Sequence, residues 1–470
     1  MINDRILKRN INEKKRHSYR FTCAMILVCI EVLIFYFVWT VFYNPYLRHP
    51  YVYRGNLFML FAYGVLILLF GTVYGGMKLG YYRAFSIFMS SAVSACVANF
   101  TVYIAVIIPA ATWYLSPVPA VIYMSLMDLL VILVWSLVSN RIFGLLFPPQ
   151  RLLLISGNAA DDITAKFESR RDRYDIIKRI DVYNTKLDFD EICEEILNYD
   201  GVIIGDVSSE ERNDYLKFCY SNMVRTYTLP KLSDVILKSG ETLHIFDSPL
   251  YLNRNHGLHS SSTLVKRIFD IVSSLIAIVL LSPLLIITAA AIKLEDGGPV
   301  FFRQDRCTIG GRVFSIIKFR SMVVDAEKFG EVIPCAEKDP RITKVGKIIR
   351  ATRIDELPQL FNILFGDMSV VGPRPERVEH VKKYTEDIPE FSYRMLVKGG
   401  LTGYAQVYGK YNTTAYDKLK LDLMYIQNYS FMLDMEIIFK TIQVIFMKES
   451  TEGFSAEAAD RLRGEDGENT

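Results

Sequence analysis

The chain has 470 residues, and its mean hydropathy of +0.20 is high for a soluble protein. These values exclude a small soluble domain and leave room for two or three domains. The 54 basic and 51 acidic residues almost balance, so we expect no nucleic-acid partner, but basic charge is concentrated at one end. Against Asp4 and Glu13, the first twenty residues contain Arg5, Lys8, Arg9, Lys14, Lys15, Arg16 and Arg20.

The seven cysteines show no spacing typical of a metal site. We therefore expect buried or free thiols in a reducing compartment. A cleavable signal peptide is not expected, because the first apolar run is too long and no small-residue cleavage site follows it.

Four apolar runs follow the basic N-terminus, over roughly Phe21–Tyr43, Leu57–Met77, Ala84–Ile108 and Val118–Val138. Each is long enough to cross a bilayer as a helix, which takes about 20 residues. Lysine and arginine are more frequent on the side shared by the N-terminus and residues 78–83 and 141–151 than on the other. The pattern predicts a four-helix transmembrane bundle over residues 1–147 with both ends in the cytoplasm. The alternative, the core of a soluble protein, is disfavoured because four such runs rarely occur there in succession.

Residues 148–252 predict a Rossmann-like α/β domain. Short apolar segments such as RLLLIS and GVII alternate with helical stretches such as DEICEEILN, which indicates a parallel sheet. The turn after the first segment contains Gly157 and Asn158 but no G-x-G-x-x-G. We therefore predict a structural or regulatory domain without a tightly bound nucleotide cofactor. Residues 253–263 form a polar linker, in which His256 and His259 are expected to be solvated.

A fifth apolar run, Ile268–Ile292, is also long enough to span a membrane. Ser282 and Pro283 interrupt it near its middle, and proline removes a helical hydrogen bond. Basic residues lie on both sides of the run, which disfavours a crossing. We predict a re-entrant membrane helix over residues 264–296 that bends at Ser282–Pro283 and returns to the cytoplasm; a kinked fifth span is the alternative.

The remaining half is rich in paired charge. PVFFRQDR and VFSIIKF predict short strands at a membrane surface, carrying basic residues: Arg303, Arg306, Lys318 and Arg320. In ATRIDELPQLFNILF, Pro358 is acceptable only in a first helical turn, so a helix should begin near Asp355 or Glu356. A helix N-terminus there would favour nearby phosphate. Arg374, held between two prolines, is suited to contact phosphate.

Three long motifs carry a resemblance to a known family: KRIFDIVSSLIAIVLLSPLLIITAAAIKLEDGGPVFFRQDRCTIGGRVFSIIKFRSM, IIRATRIDELPQLFNILFGDMSVVGPRPE and GGLTGYAQVYGKYNTT. Together they resemble the bacterial sugar transferases, the polyprenyl-phosphate glycosyl-1-phosphate transferases that begin capsule, exopolysaccharide and O-antigen synthesis. The similarity covers roughly residues 264–450, so the resemblance implies a catalytic α/β domain over residues 297–450. The four apolar runs and the Rossmann-like domain resemble the long form of the family. A loose polar tail, 451–470, follows.

The resemblance also implies roles for individual residues. It makes Asp355 the catalytic nucleophile and Glu356 a ligand or positioner of Mg²⁺, with Asp355 beside the same metal. It implies that Ser282 and Pro283 break the membrane helix. It assigns phosphate or nucleotide binding to five basic residues: Lys318, Arg320, Arg353, Arg374 and Lys410. The family commonly has arginine where this chain has Lys410, and lysine lacks the bidentate fork of arginine.

The implied reaction is transfer of a sugar-1-phosphate from a UDP-sugar to polyprenyl (undecaprenyl) phosphate, with release of UMP through a covalent aspartyl phosphosugar. The protein would be a multi-pass protein of the bacterial inner membrane with a cytoplasmic catalytic domain. A homodimer through the bundle and the α/β domain is compatible with this layout.

Two other functions fit parts of the pattern. A non-catalytic membrane scaffold or regulator would use the basic surface for lipid and the α/β domain for partners, but the Asp355–Glu356 pair argues against it. A transporter is disfavoured because three acidic residues in apolar runs, Glu31, Asp128 and Asp270, are predicted to be isolated from one another and from partners.

Overall fold

The structure is a computed structural model. It describes residues 2–47, 49–110, 118–157, 163–164, 167–168, 170–185, 187–245, 247–253, 258, 260–324, 341–409 and 413–445. The contacts divide the chain into two compact units, Met1–Leu229 and Pro230–Thr470. His256, His259, Lys410 and the predicted tail lie outside the described residues. The predicted domain limits stay predictions.

The first unit begins with apolar helices. These are α1 (Ile2–Val38), which continues as a π-helical turn over Trp39–Tyr43, α2 (Arg54–Val73), α3 (Ala84–Ala110) and α4 (Val118–Leu146). Each packs against its neighbours in the chain, and α1 also packs against α4. Helix α2 ends four residues before the predicted limit because Gly75 adopts a φ of +76°. In the described part of the chain, five helices, including one in the second unit, are long and apolar enough to cross a membrane.

Buried polar side chains of different helices contact one another between these helices. The Tyr63 hydroxyl donates to Asn99 Oδ1 at 2.8 Å, and Asn99 Nδ2 donates to Asp128 Oδ2 at 2.8 Å. Glu31 lies close enough to Asp128 for the two carboxylates to interact electrostatically. The prediction that Glu31, Asp128 and Asp270 are isolated is therefore wrong, since Asp270 also accepts hydrogen bonds, from Ser369 and Val370. Helical periodicity shows which face of a helix is apolar, but it does not show which polar residues of different helices meet.

The rest of the first unit contains a four-stranded parallel sheet, which confirms the predicted α/β layer. Its strands are β1 (Gln150–Ser156), β2 (Tyr174–Asp181), β3 (Gly201–Ile204) and β4 (Arg225–Thr228), in the order β2-β1-β3-β4. Helices α5 (Phe189–Ile196) and α6 (Ser209–Ser221) each begin with a capping box, at Asp188 and Ser208. The interior of β1 is fully buried, as expected for a central strand covered on both faces.

Gly157 follows β1 in a position that requires glycine. Its N–H donates to the Asp206 carbonyl at 2.9 Å, and a Cβ at this position would lie 2.5 Å from that oxygen. The glycine therefore lets the backbone segments that follow β1 and β3 approach each other.

The second unit begins with α7 (Leu232–Lys238), the hairpin β5 (Glu241–Ile245) and β6 (Ser248–Leu252), and α8 (Ser260–Asp296). The antiparallel strands β7 (Phe301–Cys307) and β8 (Val313–Phe319) confirm the predicted short strands. Next come α9 (Lys344–Ala351), a 3₁₀ turn (Ile354–Glu356), α10 (Gln359–Phe365) and β9 (Ser369–Val371). The remaining elements are α11 (Val378–Asp387), a 3₁₀ segment (Pro389–Leu396), β10 (Gly400–Thr402), α12 (Tyr404–Tyr408), α13 (Ala415–Gln427) and α14 (Phe431–Ile445). β10 pairs in parallel with β9.

Helix α8 is continuous through Pro283. Both of its ends contact other elements of the second unit. Near its start, Arg267 donates to the carbonyls of Ile363 and Leu364 at 2.7 and 2.8 Å. At its other end, Glu295 accepts from the backbone N–H of Lys344 at 2.7 Å. The apolar middle of the helix packs on Phe314, Leu360 and neighbouring side chains, so one face of α8 is part of the core of this unit.

A buried ion pair joins α8 to α14. Lys266 Nζ lies 2.6 Å from Asp434 Oδ2, with 8% and 1% of the two side chains exposed, and Asp434 also accepts from the Tyr425 hydroxyl at 2.8 Å. Asp434→Ala should destabilise the second unit by about 3–5 kcal/mol, because it leaves a buried ammonium group without its partner. Protease resistance of this unit across a urea series measures the loss.

Asp367→Ala is the matched control, because it removes the carboxylate of the exposed pair with Arg312. Its cost should stay within about 1 kcal/mol. Equal losses for the two variants would contradict the role assigned to the buried pair.

Candidate active site

One carboxylate oxygen joins three segments of the second unit. Glu356 Oε1 accepts from Lys318 Nζ at 3.0 Å and from Arg374 Nη2 at 2.9 Å. Lys318 comes from the end of β8, Glu356 from the 3₁₀ turn, and Arg374 from the loop after β9. The Glu356 and Lys318 side chains are mostly buried, whereas 39% of Arg374 is exposed. The structure therefore brings together Glu356 and two of the basic residues that the sequence singled out.

The turn that carries Asp355 and Glu356 depends on an uncommon backbone conformation. Arg353 has φ +58°, in the left-handed region, and its carbonyl accepts from the Glu356 N–H at 3.2 Å. Such a conformation in a residue other than glycine is strained and is enriched at functional sites. The prediction that a helix begins at the two carboxylates is wrong by about three residues. Pro358 occupies the N-cap of α10, so both carboxylates precede the helix in the 3₁₀ turn.

The Asn362 side chain fixes the distance between this turn and β8. Its Oδ1 accepts from the Ile317 N–H and its Nδ2 donates to the Ser315 carbonyl, both at 3.0 Å. Asn362 lies on α10, directly after the 3₁₀ turn, and it is 2% exposed. These bonds set Lys318 beside Glu356. The sequence pattern did not point to Asn362, although an amide inside the apolar run LFNILF was a signal.

The loop that carries Arg374 is held through its own backbone. Arg394 donates to the Arg374 carbonyl at 3.0 Å, and Arg306 donates to the Pro375 carbonyl at 3.1 Å. Arg394 is in turn paired with the buried Asp422, at 2.8 Å. Gly399 is required beside the loop, since a Cβ there would lie 2.5 Å from Pro375 Cγ. Arg306, Arg394 and Asp422 therefore position Arg374, and only Arg306 was singled out from the sequence, as a surface cation.

The pKa values of the two neighbouring carboxyl groups are shifted in opposite directions by their surroundings. Burial alone would raise the pKa of Glu356, but the charges of Arg374 and Lys318 outweigh it and hold the pKa well below the usual range. Burial raises the pKa of Asp355, and the charge of Glu356 raises it further. Within the described part of the chain, no hydrogen bond or ion pair reaches the Asp355 carboxylate. Glu356 is thus a fixed anion, and Asp355 is the carboxyl group that these two cations do not bind.

The other predicted site residues lie in different surroundings. Arg320 donates to Asp296 Oδ2 at 2.8 Å, at the end of α8, and is 8% exposed. Arg353 acts electrostatically on Asp355. Ser282 donates to the Val279 carbonyl within α8. The phosphate-binding role of Arg320, Arg353 and Lys410 stays a prediction.

Comparison with known proteins decides the family. Residues 261–448 match the model of the bacterial sugar transferases. The chain is 36% identical to an uncharacterized sugar transferase of Bacillus subtilis, over 43% of this chain and 96% of that protein. The chain belongs to the bacterial sugar transferase family.

Two longer relatives have more specific names. The chain is 39% identical to the UDP-N-acetylgalactosamine-undecaprenyl-phosphate N-acetylgalactosaminephosphotransferase of Aeromonas hydrophila, over 53% of this chain and 59% of that protein. It is 38% identical to the UDP-glucose:undecaprenyl-phosphate glucose-1-phosphate transferase of Klebsiella pneumoniae, over 53% of each chain. The chain thus spans little more than half the length of these two relatives.

The donor atoms of this transferase fit Mg²⁺ in part. In the described ranges, no three His, Cys, Asp or Glu side chains are grouped so that they could hold a metal ion. Mg²⁺ is nevertheless commonly held by one or two carboxylates together with substrate phosphates. Asp355 and Glu356 supply two adjacent carboxylates, so the site suits a metal that arrives with a diphosphate.

Asn362→Ala tests whether the amide organises the site. The substitution leaves the Ile317 N–H and the Ser315 carbonyl without their partner, and it should destabilise the second unit by about 2–4 kcal/mol. Protease resistance across a urea series measures this cost. Asn428→Ala is the matched control, because the Asn428 amide is exposed and bonds only within its own helix. A cost of Asn362→Ala no larger than that of the control would contradict the proposed role.

Proposed function

We propose that this chain transfers a sugar-1-phosphate from a UDP-sugar to polyprenyl phosphate and releases UMP. The observation that carries the proposal is the separation of the two carboxyl groups: Glu356 is bound by Lys318 and Arg374, while Asp355 has no such partner among the described residues. The names of the two longer relatives support the same reaction class, with N-acetylgalactosamine in one and glucose in the other.

The first half-reaction uses Asp355 as the nucleophile. Its carboxylate oxygen attacks the phosphorus that carries the sugar and forms an acyl phosphate bond. The bond between this phosphorus and the bridging oxygen breaks, and UMP leaves with that electron pair. Arg374 and Lys318 would balance the negative charge that develops on the phosphate oxygens. When bound, Mg²⁺ held by Glu356 and Asp355 would neutralise the diphosphate.

The second half-reaction regenerates the enzyme. A phosphate oxygen of polyprenyl phosphate attacks the same phosphorus, and the bond to the Asp355 carboxylate breaks. The product is polyprenyl diphosphosugar, and Asp355 returns to its anionic form. Because the attacking group is already an anion at neutral pH, this step needs no general base.

Helix α8 is proposed to be the re-entrant membrane helix of a protein in the bacterial inner membrane. A straight helix of its 37 residues would be roughly 55 Å long, more than the hydrocarbon core of about 30 Å. Both of its ends contact the same compact unit. Residues on either side of Pro283 are apolar and more than 60% exposed: Val279, Leu280, Ile286 and Ile287. These observations support a helix whose middle enters the lipid while both ends stay with the cytoplasmic catalytic unit.

Asp355→Asn tests the covalent step. Without lipid acceptor, the wild type should exchange labelled UMP into UDP-sugar, because the first half-reaction is reversible. Asp355→Asn should lower this exchange at least about 1,000-fold, since it removes the nucleophile. UDP-sugars supplied one at a time identify the exchanging sugar and the labelled lipid product. Asp387→Asn, at an exposed carboxylate on α11, should exchange normally.

The pH profile of exchange separates the two carboxylates. Asp355 reacts as the anion, so the rate should fall as the pH drops through its raised pKa, above the usual value of about 3.9. Glu356→Gln should be impaired in a way that added magnesium relieves, and its profile should shift to lower pH because the neighbouring negative charge is gone. Robust exchange by Asp355→Asn would contradict the assignment of the nucleophile.

Single cysteines test the course of α8. In a cysteine-free background, cysteine at Ser262, near the start of α8, and at Glu386, on α11, should both be protected from an impermeant thiol reagent in intact cells. Both should react in permeabilised cells, which is the control for accessibility. Labelling of position 386 but not of position 262 in intact cells would show a true fifth span. Pro283→Leu should lower activity by straightening the bend that Pro283 is proposed to impose on α8.

A further inference from the structure

Each of the apolar helices in the first unit contributes one polar side chain to a common buried layer. These residues, each 2% exposed or less, are Glu31 on α1, Tyr63 on α2, Asn99 on α3 and Asp128 on α4. The hydrogen bonds from Tyr63 to Asn99 and from Asn99 to Asp128 join three of the helices directly. Asn99 also donates to Ser125 Oγ at 3.1 Å. We call these four residues the polar layer.

Two carboxylate oxygens of the polar layer have no hydrogen-bond partner within the described ranges. They are Glu31 Oε2 and Asp128 Oδ1, both fully shielded from solvent. The two carboxylates interact electrostatically with each other, and both act on Tyr63. Buried polar atoms normally have a hydrogen-bond partner. Two unpaired carboxylate oxygens in one layer therefore indicate that the layer binds a further ligand, such as a proton or a cation.

In the part of the chain that the structure describes, no cation compensates this layer. Among the described residues, the titratable groups that act on Glu31, Asp128 and Tyr63 are one another, Tyr43 and Cys96, and none of these is a cation. Two ionised carboxylates in an apolar helix bundle would each cost several kcal/mol. At least one of the two must therefore be neutralised by what it binds.

The chemistry of the layer favours a proton over a metal ion. A hard divalent cation takes six or more oxygen ligands. The layer offers two carboxylates and one phenol, with the Ser125 hydroxyl beside it, and the Asn99 amide directs its N–H groups at Asp128 and Ser125. A proton needs one oxygen and adds almost no volume. We propose that Glu31 and Asp128 form an intramembrane proton-binding site that holds at least one proton at neutral pH and stabilises the helices around it.

This proposal gives the sign of a pH effect. The folded helices hold a proton that the carboxylates release when they become exposed to water. Stability of the first unit must then fall as the pH rises. The inference does not depend on sugar transfer, because every residue of the polar layer lies in the first unit.

Intrinsic fluorescence of the full-length protein in detergent tests the proposal. All three tryptophans of the sequence fall within the limits of the first unit, and the two described ones, Trp39 and Trp135, are buried among its helices, so the fluorescence reports on this unit. From mildly acidic to mildly alkaline pH, the thermal midpoint of the wild type should fall. The double variant Glu31→Gln, Asp128→Asn should lose most of this dependence, and Thr101→Val, an exposed residue of α3, should keep it.

A second measurement makes the outcome independent of how well the variants fold. The infrared carbonyl band of a protonated carboxylic acid should be present in the wild type at neutral pH and should decrease with rising pH alongside the thermal midpoint. A wild-type midpoint that does not change with pH would overturn the proposal. A midpoint that responds to sodium chloride but not to choline chloride at fixed pH would also overturn it, in favour of a bound cation. An unchanged pH dependence in a folded double variant would do the same.

Discussion

The site depends on the double ion pair at Glu356. One oxygen holds Lys318 and Arg374, from segments 56 residues apart in the chain. Burial lowers the pKa of Lys318, whereas the negative charge of Glu356 raises it. The neighbouring anion therefore helps this lysine to stay charged. A substrate diphosphate that approaches Asp355 would compete with Glu356 for both cations. In the proposed mechanism, Glu356 would keep the two cations charged and in place until the diphosphate binds.

Much of this arrangement follows from local pattern, and the rest does not. Apolar run length predicted the helices, alternation predicted the parallel sheet, and motifs pointed to Lys318, Glu356 and Arg374. Arg320 looked equivalent to Lys318 because both lie on KFR, but the structure pairs it with Asp296. The Asn362 bonds to β8 could not be predicted either, since they connect residues 45 and 47 positions apart. Local propensity specifies elements, whereas the partner of a polar side chain is decided by how elements pack.

Helix α8 links the two sides of the site to the proposed membrane segment. Arg267 binds the carbonyls at the end of α10, and Asp296 at the other end of α8 binds Arg320 directly after β8. α10 follows the turn of Asp355 and Glu356, and β8 carries Lys318. A displacement of α8 would therefore reach both sides of the site. In the proposed reaction, a lipid phosphate would meet Asp355 only if α8 held the site at a defined depth in the membrane surface, which is a reason for a membrane helix to pack on the catalytic unit.

The chain buries carboxylates in two opposite ways. Glu356 is compensated by two cations, so it stays ionised and resists protonation even in acid. Glu31 and Asp128 lie among tyrosine, asparagine and cysteine with no cation beside them in the described residues. The first solution creates a permanent charge that can orient an anionic substrate. The second, as proposed, ties helix packing to proton binding, because removal of the proton restores a repulsion that only separation of the helices or entry of water can relieve. Catalytic charge and membrane packing thus make opposite demands on the same functional group, and neighbouring residues decide which demand is met.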